Sequence, residues 1–338
     1  MTDTSPDQKA IEQSPSGSEA TQGSGEGLVR KGVSSERIVG YDHLRCVALL
    51  CVLCSHILSV LGREDLTIFA GVALGQIGVA IFLAISGALV ANEKRPPGDW
   101  LIARLKKILP AYWVVTVLGF LVTILSGYKS VSLLQFLWQM SGFGLTFLRE
   151  DLVNVATWFI SLLLTLYFLV FLARLTKYPR WILSGVWLFC LGMVLLDCEG
   201  HYYSRCLVFL TSLLVFQTPH PIRNGMLFAT LSFAGSIPLR EFLYPCVGVL
   251  AVLSVQAIRN RPRWIGLMAQ YSYEFYLCHG IFLVGGVKLL KRAPPIGCFV
   301  GVLASIALAV VIQHGIEWLR TQNQHRLSKK LGRNSEGT

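Results

Sequence analysis

From residue 44 onward the chain alternates long apolar runs with short polar and basic breaks. Ten runs can be placed, at approximately 44–62, 68–91, 109–127, 157–175, 180–197, 206–217, 225–239, 241–258, 270–290 and 296–319. At a rise of about 1.5 Å per residue, most of them are long enough as helices to cross roughly 30 Å of hydrocarbon. The runs at 206–217 and 225–239 are short for a crossing. Segment 131–148 is different. It is amphipathic, which predicts a helix lying at the membrane interface or re-entering the bilayer. The predicted fold class is therefore all-α: a polytopic membrane helix bundle of about ten transmembrane helices.

Composition supports this and divides the chain. Hydrophobic residues make up 53% of it and charged residues 14%, where a soluble domain carries about 25% charged residues. Mean hydropathy is +0.56. Residues 1–35 are rich in Ser, Gly, Gln and Glu and hold almost no large apolar side chain, so they cannot bury a core. They read as a disordered cytoplasmic tail, without the basic-then-apolar start of a cleaved secretory peptide. Residues 38–320 form the membrane domain, and 321–338 a second cytoplasmic tail.

The net charge of +11 does not point to nucleic acid. The Lys and Arg residues are not gathered on one soluble face but sit in short clusters between apolar runs, as topology signals do. An even number of spans puts both termini on one side. With that side cytosolic, 22 of the 30 Lys and Arg residues fall inside; the cluster Lys288, Lys291 and Arg292 runs against the rule. The predicted location is the plasma (inner) membrane, multi-pass, with both termini cytoplasmic. Most of the nine cysteines lie inside apolar runs. Cys51 and Cys54 have the spacing of half a zinc site, but no second pair follows, so no metal is predicted. Cys198 and Cys206 flank a short external loop, where a disulfide can be drawn.

Polar groups inside the apolar runs mark candidate chemistry, because an ionisable side chain at membrane depth is costly. The first run carries Arg45 and His56. Eleven steps of about 100° return to within roughly 20° of the start, so both lie on one helical face, Arg45 at the boundary and His56 about 16 Å deeper, near mid-bilayer. Asp42 is spaced to pair with Arg45, fixing a guanidinium suited to phosphate. Burial favours neutral His56, the form a general base needs. A boundary anchor and a hydrogen-bonded bundle histidine would give the same two residues. Next, Arg104-Leu105-Lys106-Lys107 occupies the loop before the third run, which opens at Pro110-Ala111-Tyr112-Trp113. Arg104 and Lys107 share a face and, with Arg45, could form a three-cation cradle; a positive-inside cluster with an aromatic belt is the plainer alternative. Gly78, Ser86 and Gly87 permit close helix approach. Trp158 and Ser161 open the fourth run. Late in the chain, Tyr271 to His279 place several polar groups inside one span.

In order and spacing these elements resemble the acyltransferase-3 family of integral membrane acyltransferases. The resemblance rests on Asp42-x2-Arg45-x10-His56, Gly78-x3-Phe82-x3-Ser86-Gly87, Arg104-x2-Lys107 with Pro110-x-Tyr112-Trp113, Trp158-x2-Ser161, and Ser272-Tyr273 with His279, over about residues 38–320. It implies a ten-helix fold that takes an acyl group, commonly acetyl, from cytosolic acyl-CoA as co-substrate. The group would pass to a hydroxyl of a cell-surface carbohydrate, glycolipid or similar acceptor. By analogy Arg45, Arg104 and Lys107 would bind the donor's phosphates and His56 would act at the transfer centre. Ser86, Tyr112 and Tyr273 are candidates for stabilising the oxyanion, and His279 a further substrate-binding candidate.

The chain departs from the family pattern at several of these positions. Lys107 stands where a second Arg is frequent, Ala80 where many members have Asp, and Leu163 and Leu164 where an acidic residue is frequent. His279-Gly280 replaces a frequent His-Pro. With those carboxylates gone, what orients His56 is open. A transporter or permease, or a catalytically silent membrane scaffold, would share the ten spans and basic loops; the absence of an evident inverted repeat counts against a transporter.

Overall fold

In the computed structural model the described residues are 39–335, except 70, 126, 128, 129, 145–153, 155, 199 and 238, with the side chains of 69, 200, 201 and 323–335 also left aside. The predicted tail at 1–35 lies outside them.

Ten helices follow the ten predicted runs in order: α1 (Val39–Val60), α2 (Leu74–Ala91), α3 (Pro97–Leu125), α5 (Thr157–Arg174), α6 (Pro179–Leu195), α7 (Gly200–Phe216), α8 (Pro221–Ser236), α9 (Leu243–Ser254), α10 (Arg263–Leu289) and α11 (Pro294–Ser335). A short helix, α4 (Leu133–Met140), lies between α3 and α5. Five of these, α1, α2, α3, α5 and α11, contain stretches long and apolar enough to cross a membrane by length and composition. The fold is the predicted all-α membrane bundle.

Helix ends differ from the runs where polar residues are good helix formers. α3 begins at Pro97, a favoured first position, with Asp99 in its first turn. Arg104, Lys106 and Lys107 therefore belong to a helix, not to the predicted loop, and their mutual spacing becomes rigid. The second run begins as a hairpin, Ile68–Phe69 pairing with Val72–Ala73, before α2 starts. The last helix continues through Ser335, past the predicted end of its run.

α2 is at the centre of the bundle and packs on α1, α7 and α9, while α1 also packs on α10, and α10 lies along α11. Close approach is made by the glycines singled out in the sequence. A Cβ on Gly78 would meet the Ala48 carbonyl oxygen of α1 at 2.5 Å, and one on Gly87 the Phe209 carbonyl oxygen of α7 at 2.2 Å. No side chain fits at either point.

Pro110 has no N–H to offer the Lys106 carbonyl one turn earlier. Arg320 of α11 donates to that carbonyl at 2.8 Å, so the break in α3 becomes a tie to α11. α4 lies against the middle of α3. Phe136 packs on Phe120 with ring centroids 4.7 Å apart, Tyr112 donates its hydroxyl to the Gln139 carbonyl, and the Trp113 indole donates to the Met140 carbonyl at 2.9 Å. Leu133, Leu134 and Leu137 stay exposed. The start of the predicted amphipathic segment thus runs inward along α3; residues 145–148 lie outside the description.

One end of the bundle is basic: Arg45, Arg104, Lys107, Arg174, Arg261 and Arg320 all belong to it. Here Arg174 reaches over the Trp100 ring and donates to the Arg95 carbonyl at 2.7 Å. Glu93 accepts from Arg95 at 2.6 Å, which holds its carboxyl down to about 2. At the other end, buried Arg205 lies between the Trp158 and Tyr244 rings and donates to Gln76, joining α2, α5, α7 and α9. All nine cysteines are free. The disulfide drawn between Cys198 and Cys206 is therefore not formed.

Candidate active site

On α1 the bundle-facing stripe is Arg45, Leu49, Val52 and His56, at helical spacing. Leu49 and Val52 are buried, whereas Val47 and Leu50, on the other side, are 47% and 45% exposed. Arg45 and His56 therefore share the inward face. His56 lies one turn before the helix ends at Val60, nearer the far end than the middle. It is exposed although it stands on the inward stripe, so the bundle is open beside it.

Asp42 is fully buried in the first turn of α1. One carboxylate oxygen lies 2.9 Å from Arg45 Nη1, as the spacing predicts, and the other lies 2.9 Å from Arg261 Nε. Arg261 stands just before α10. Its pairing is not legible in the sequence, where it reads only as a topology charge. Asp42 thus fixes two guanidinium groups at the basic end.

A cavity of about 120 Å³ opens among α1, α2, α3, α5 and α10. Its lining brings together Arg45, Arg104, Lys107, Ser86 and Tyr273, five of the residues singled out in the sequence. Their order along the helices is consistent. The three cations, Leu89, Tyr167 and Ser272 lie towards the basic end, and Phe82, Phe159 and Tyr276 one turn or more deeper. Arg104 spans the Tyr167 ring at 5.9 Å, and its Nε is buried without a hydrogen-bond partner among the described residues. The Ser86 hydroxyl donates to the Phe82 carbonyl at 2.9 Å, and the Tyr273 hydroxyl to the Ile108 carbonyl at 2.9 Å. Both protons are therefore engaged by backbone. Tyr112 does not line the cavity; it holds α4.

The inner wall of the cavity is aromatic. Phe82, Phe159 and Tyr276 form a closed triangle, with ring centroids 6.1 Å apart for Phe82–Phe159 and Phe82–Tyr276, and 5.3 Å for Phe159–Tyr276. The two contacts of Tyr276 are edge-to-face, a favoured aromatic geometry, and Phe82–Phe159 is tilted at 50°. Beyond the triangle, one turn along α10, stands His279. It packs on Tyr276 at 5.5 Å and on His56 at 5.0 Å. Neither histidine lines the cavity. The basic chamber and the histidine pair are neighbours separated by one layer of rings. Sequence reasoning gives those three rings no role; the only signal for them is their place within the quoted motifs.

Among the described residues no three His, Cys, Asp or Glu side chains gather as a metal set. What the arrangement offers is a cationic, phosphate-suited mouth, a short apolar chamber, and two imidazoles behind it, one of them open to the far end. Searches of curated proteins and of solved structures give no match. The profile of the acyltransferase-3 family, described as an acyltransferase domain, matches residues 38–314. That match covers most of the chain, and with it the whole of the chamber and both histidines: the protein belongs to the acyltransferase-3 family and is a membrane acyltransferase.

Proposed function

We propose that this acyltransferase takes an acyl group, acetyl in the first instance, from cytosolic acyl-CoA. It passes that group to a hydroxyl of a carbohydrate or glycolipid at the outer side of the plasma membrane. Both termini and the basic end then face the cytosol. The observation that carries the reading is the chamber, whose three cations stand at its mouth and whose aromatic wall adjoins the histidine pair.

The nucleotide phosphates of the donor dock at Arg45, Arg104 and Lys107. Arg45 is already oriented by Asp42, and Arg104 has a buried N–H without a partner among the described residues. The pantetheine arm enters the apolar chamber with the acyl group against the three rings, and Phe82, the partly buried member, swings aside to bring the thioester carbon to His56. The acceptor hydroxyl approaches His56 through the opening at the far end. His56 takes its proton, the oxygen attacks the thioester carbonyl carbon, the C–S bond breaks, and the coenzyme A sulfur leaves with the proton returned by the imidazole. Because the Ser86 and Tyr273 protons are engaged, the oxyanion needs a donor other than these in their present rotamers.

The test uses membrane vesicles carrying the full chain, with radiolabelled acetyl-CoA as donor and the endogenous membrane material as acceptor. Wild-type vesicles incorporate label and His56→Ala vesicles do not. Arg45→Ala raises the donor concentration for half-saturation. Label incorporation by His56→Ala at the wild-type rate, or none above empty vesicles by the wild type, overturns the reading.

A further inference from the structure

We propose that His279 is the positioning residue for His56: a neutral imidazole that does the orienting work a carboxylate would otherwise do. The inference rests on the acyl-transfer reading above and deepens it.

The geometry fixes the state of His279. Its Nδ1 lies 2.5 Å from the Tyr276 carbonyl oxygen. A carbonyl only accepts, so Nδ1 carries the hydrogen and donates it. In a neutral ring, Nε2 is then a lone pair. That atom is buried and has no hydrogen-bond partner among the described residues, and the residue as a whole is 1% exposed. A buried acceptor without a donor is costly. Three rings pack on His279: Phe275, nearly parallel at 12° and 6.1 Å; Tyr276 at 5.5 Å; and His56 at 5.0 Å. Of these, His56 alone brings a ring N–H. If one N–H of His56 donates to Nε2, the other His56 nitrogen becomes the lone pair that faces the acceptor.

The carboxylates that follow α1 are engaged elsewhere: Glu64 accepts from the Ser59 hydroxyl at 2.7 Å, and Asp65 pairs with Arg63 at 3.6 Å. α1 contributes His56 itself. On α10, Tyr276 and Cys278 are neutral neighbours, and Glu274 stands five residues nearer the basic end than His279. Asn154, ahead of α5, donates to the Leu277 carbonyl at 3.0 Å. α2 brings Gly75 against Ser55. On α11, His314 and Glu317 pair with each other near Tyr271, close to the basic end. His56 is the titratable ring packed against His279, at 5.0 Å between centroids.

A histidine acceptor differs from a carboxylate in one measurable way. Protonated His279 has two N–H donors and no lone pair, so it loses its hold on His56 and repels the imidazolium. Activity therefore falls on acidification by two protons. Glutamine at 279 keeps an accepting oxygen that does not titrate.

The experiment compares wild type, His279→Ala, His279→Gln and His56→Ala in the vesicle assay with radiolabelled acetyl-CoA. Each variant is first checked for a monodisperse elution profile in detergent. His279→Ala is expected to lose about 100-fold in maximal label incorporation, within the range for a general-base contribution, while half-saturating acetyl-CoA stays within about twofold. His279→Gln recovers about tenfold over Ala. The acid limb of log rate against pH has slope two in the wild type and slope one in His279→Gln. Three results overturn the proposal: His279→Ala within about threefold of wild type, a loss matched by weaker acetyl-CoA saturation, or a His279→Gln acid limb still at slope two. If His279→Ala fails to elute as a single species, the slope of His279→Gln decides. An inactive His56→Ala beside a fully active His279→Ala removes only this inference. An active His56→Ala removes the reading beneath it.

Discussion

If the Phe82–Phe159–Tyr276 triangle ends the acyl chamber, its size sets the acyl group that fits, and Phe82→Ala tests this. Phe82 is the triangle member of choice, because Phe159 and Tyr276 are both buried whereas Phe82 is only partly so. Full burial would make a Phe→Ala change cost about 3–5 kcal/mol of stability; partial exposure lowers that. The substitution removes six carbons from one corner of a chamber of about 120 Å³. Butyryl-CoA carries two more methylenes than acetyl-CoA. At about 0.8 kcal/mol per buried methylene, both buried in the new space contribute about 1.6 kcal/mol, roughly 15-fold in the ratio of kcat/KM for butyryl over acetyl. The assay is competition between differently labelled acetyl-CoA and butyryl-CoA for incorporation in the same vesicles. Phe120→Ala is the control: Phe120 packs on Phe136 of α4, away from the chamber, and leaves the ratio unchanged. An unchanged ratio in Phe82→Ala, or a shift shared by Phe120→Ala, would refute the ring layer as the acyl stop.

Three further outcomes follow from particular contacts. Gly87→Ala puts a Cβ 2.2 Å from the Phe209 carbonyl oxygen, and overpacking of this kind costs about 1–3 kcal/mol; the thermal midpoint in detergent falls, whereas Gly185→Ala, with nothing within 4 Å, does not lower it. Asp42→Asn frees Arg45 and Arg261 from their shared carboxylate. Lost orientation raises half-saturating acetyl-CoA about fivefold even though an anion has left the site; tighter saturation would show that orientation is not what Asp42 supplies. Because the Arg95 bond holds Glu93 down to about 2, the pair is intact above the ordinary carboxylate range and is lost as pH falls through about 2. Hydrogen exchange at the Arg95 amide, which donates to Glu93 at 3.0 Å, is then slow at neutral pH in the wild type, faster in Glu93→Gln, and equal in both at the acid extreme.

Much of the site was legible as local order. Asp42, Arg45 and His56 are placed by helical period alone, and the Asp42–Arg45 pair has the predicted geometry. Gly78 and Gly87 make the close approaches their lack of a side chain allows. The register of Arg104 and Lys107 was also legible, but the helix carrying them was not: a charged stretch ahead of an apolar run looks like a loop until Pro97 and Asp99 are given their weight as helix-start residues. Tyr112 sat beside the right residues in sequence and turned out to hold α4, because a tyrosine hydroxyl bonds whichever carbonyl packing brings to it.

Periodicity and run length by themselves determined a helical membrane bundle and an inward stripe joining a cation to an imidazole, because both follow from the geometry of a single helix. Only the tertiary structure decided that His279 faces His56, that Arg261 shares Asp42, that Arg320 fills the carbonyl freed by Pro110, and that three rings stand between the cations and the histidines. Each joins residues far apart in the chain or on different helices. Such relations are set by how helices cross and which faces they bury, and no period within one helix encodes them.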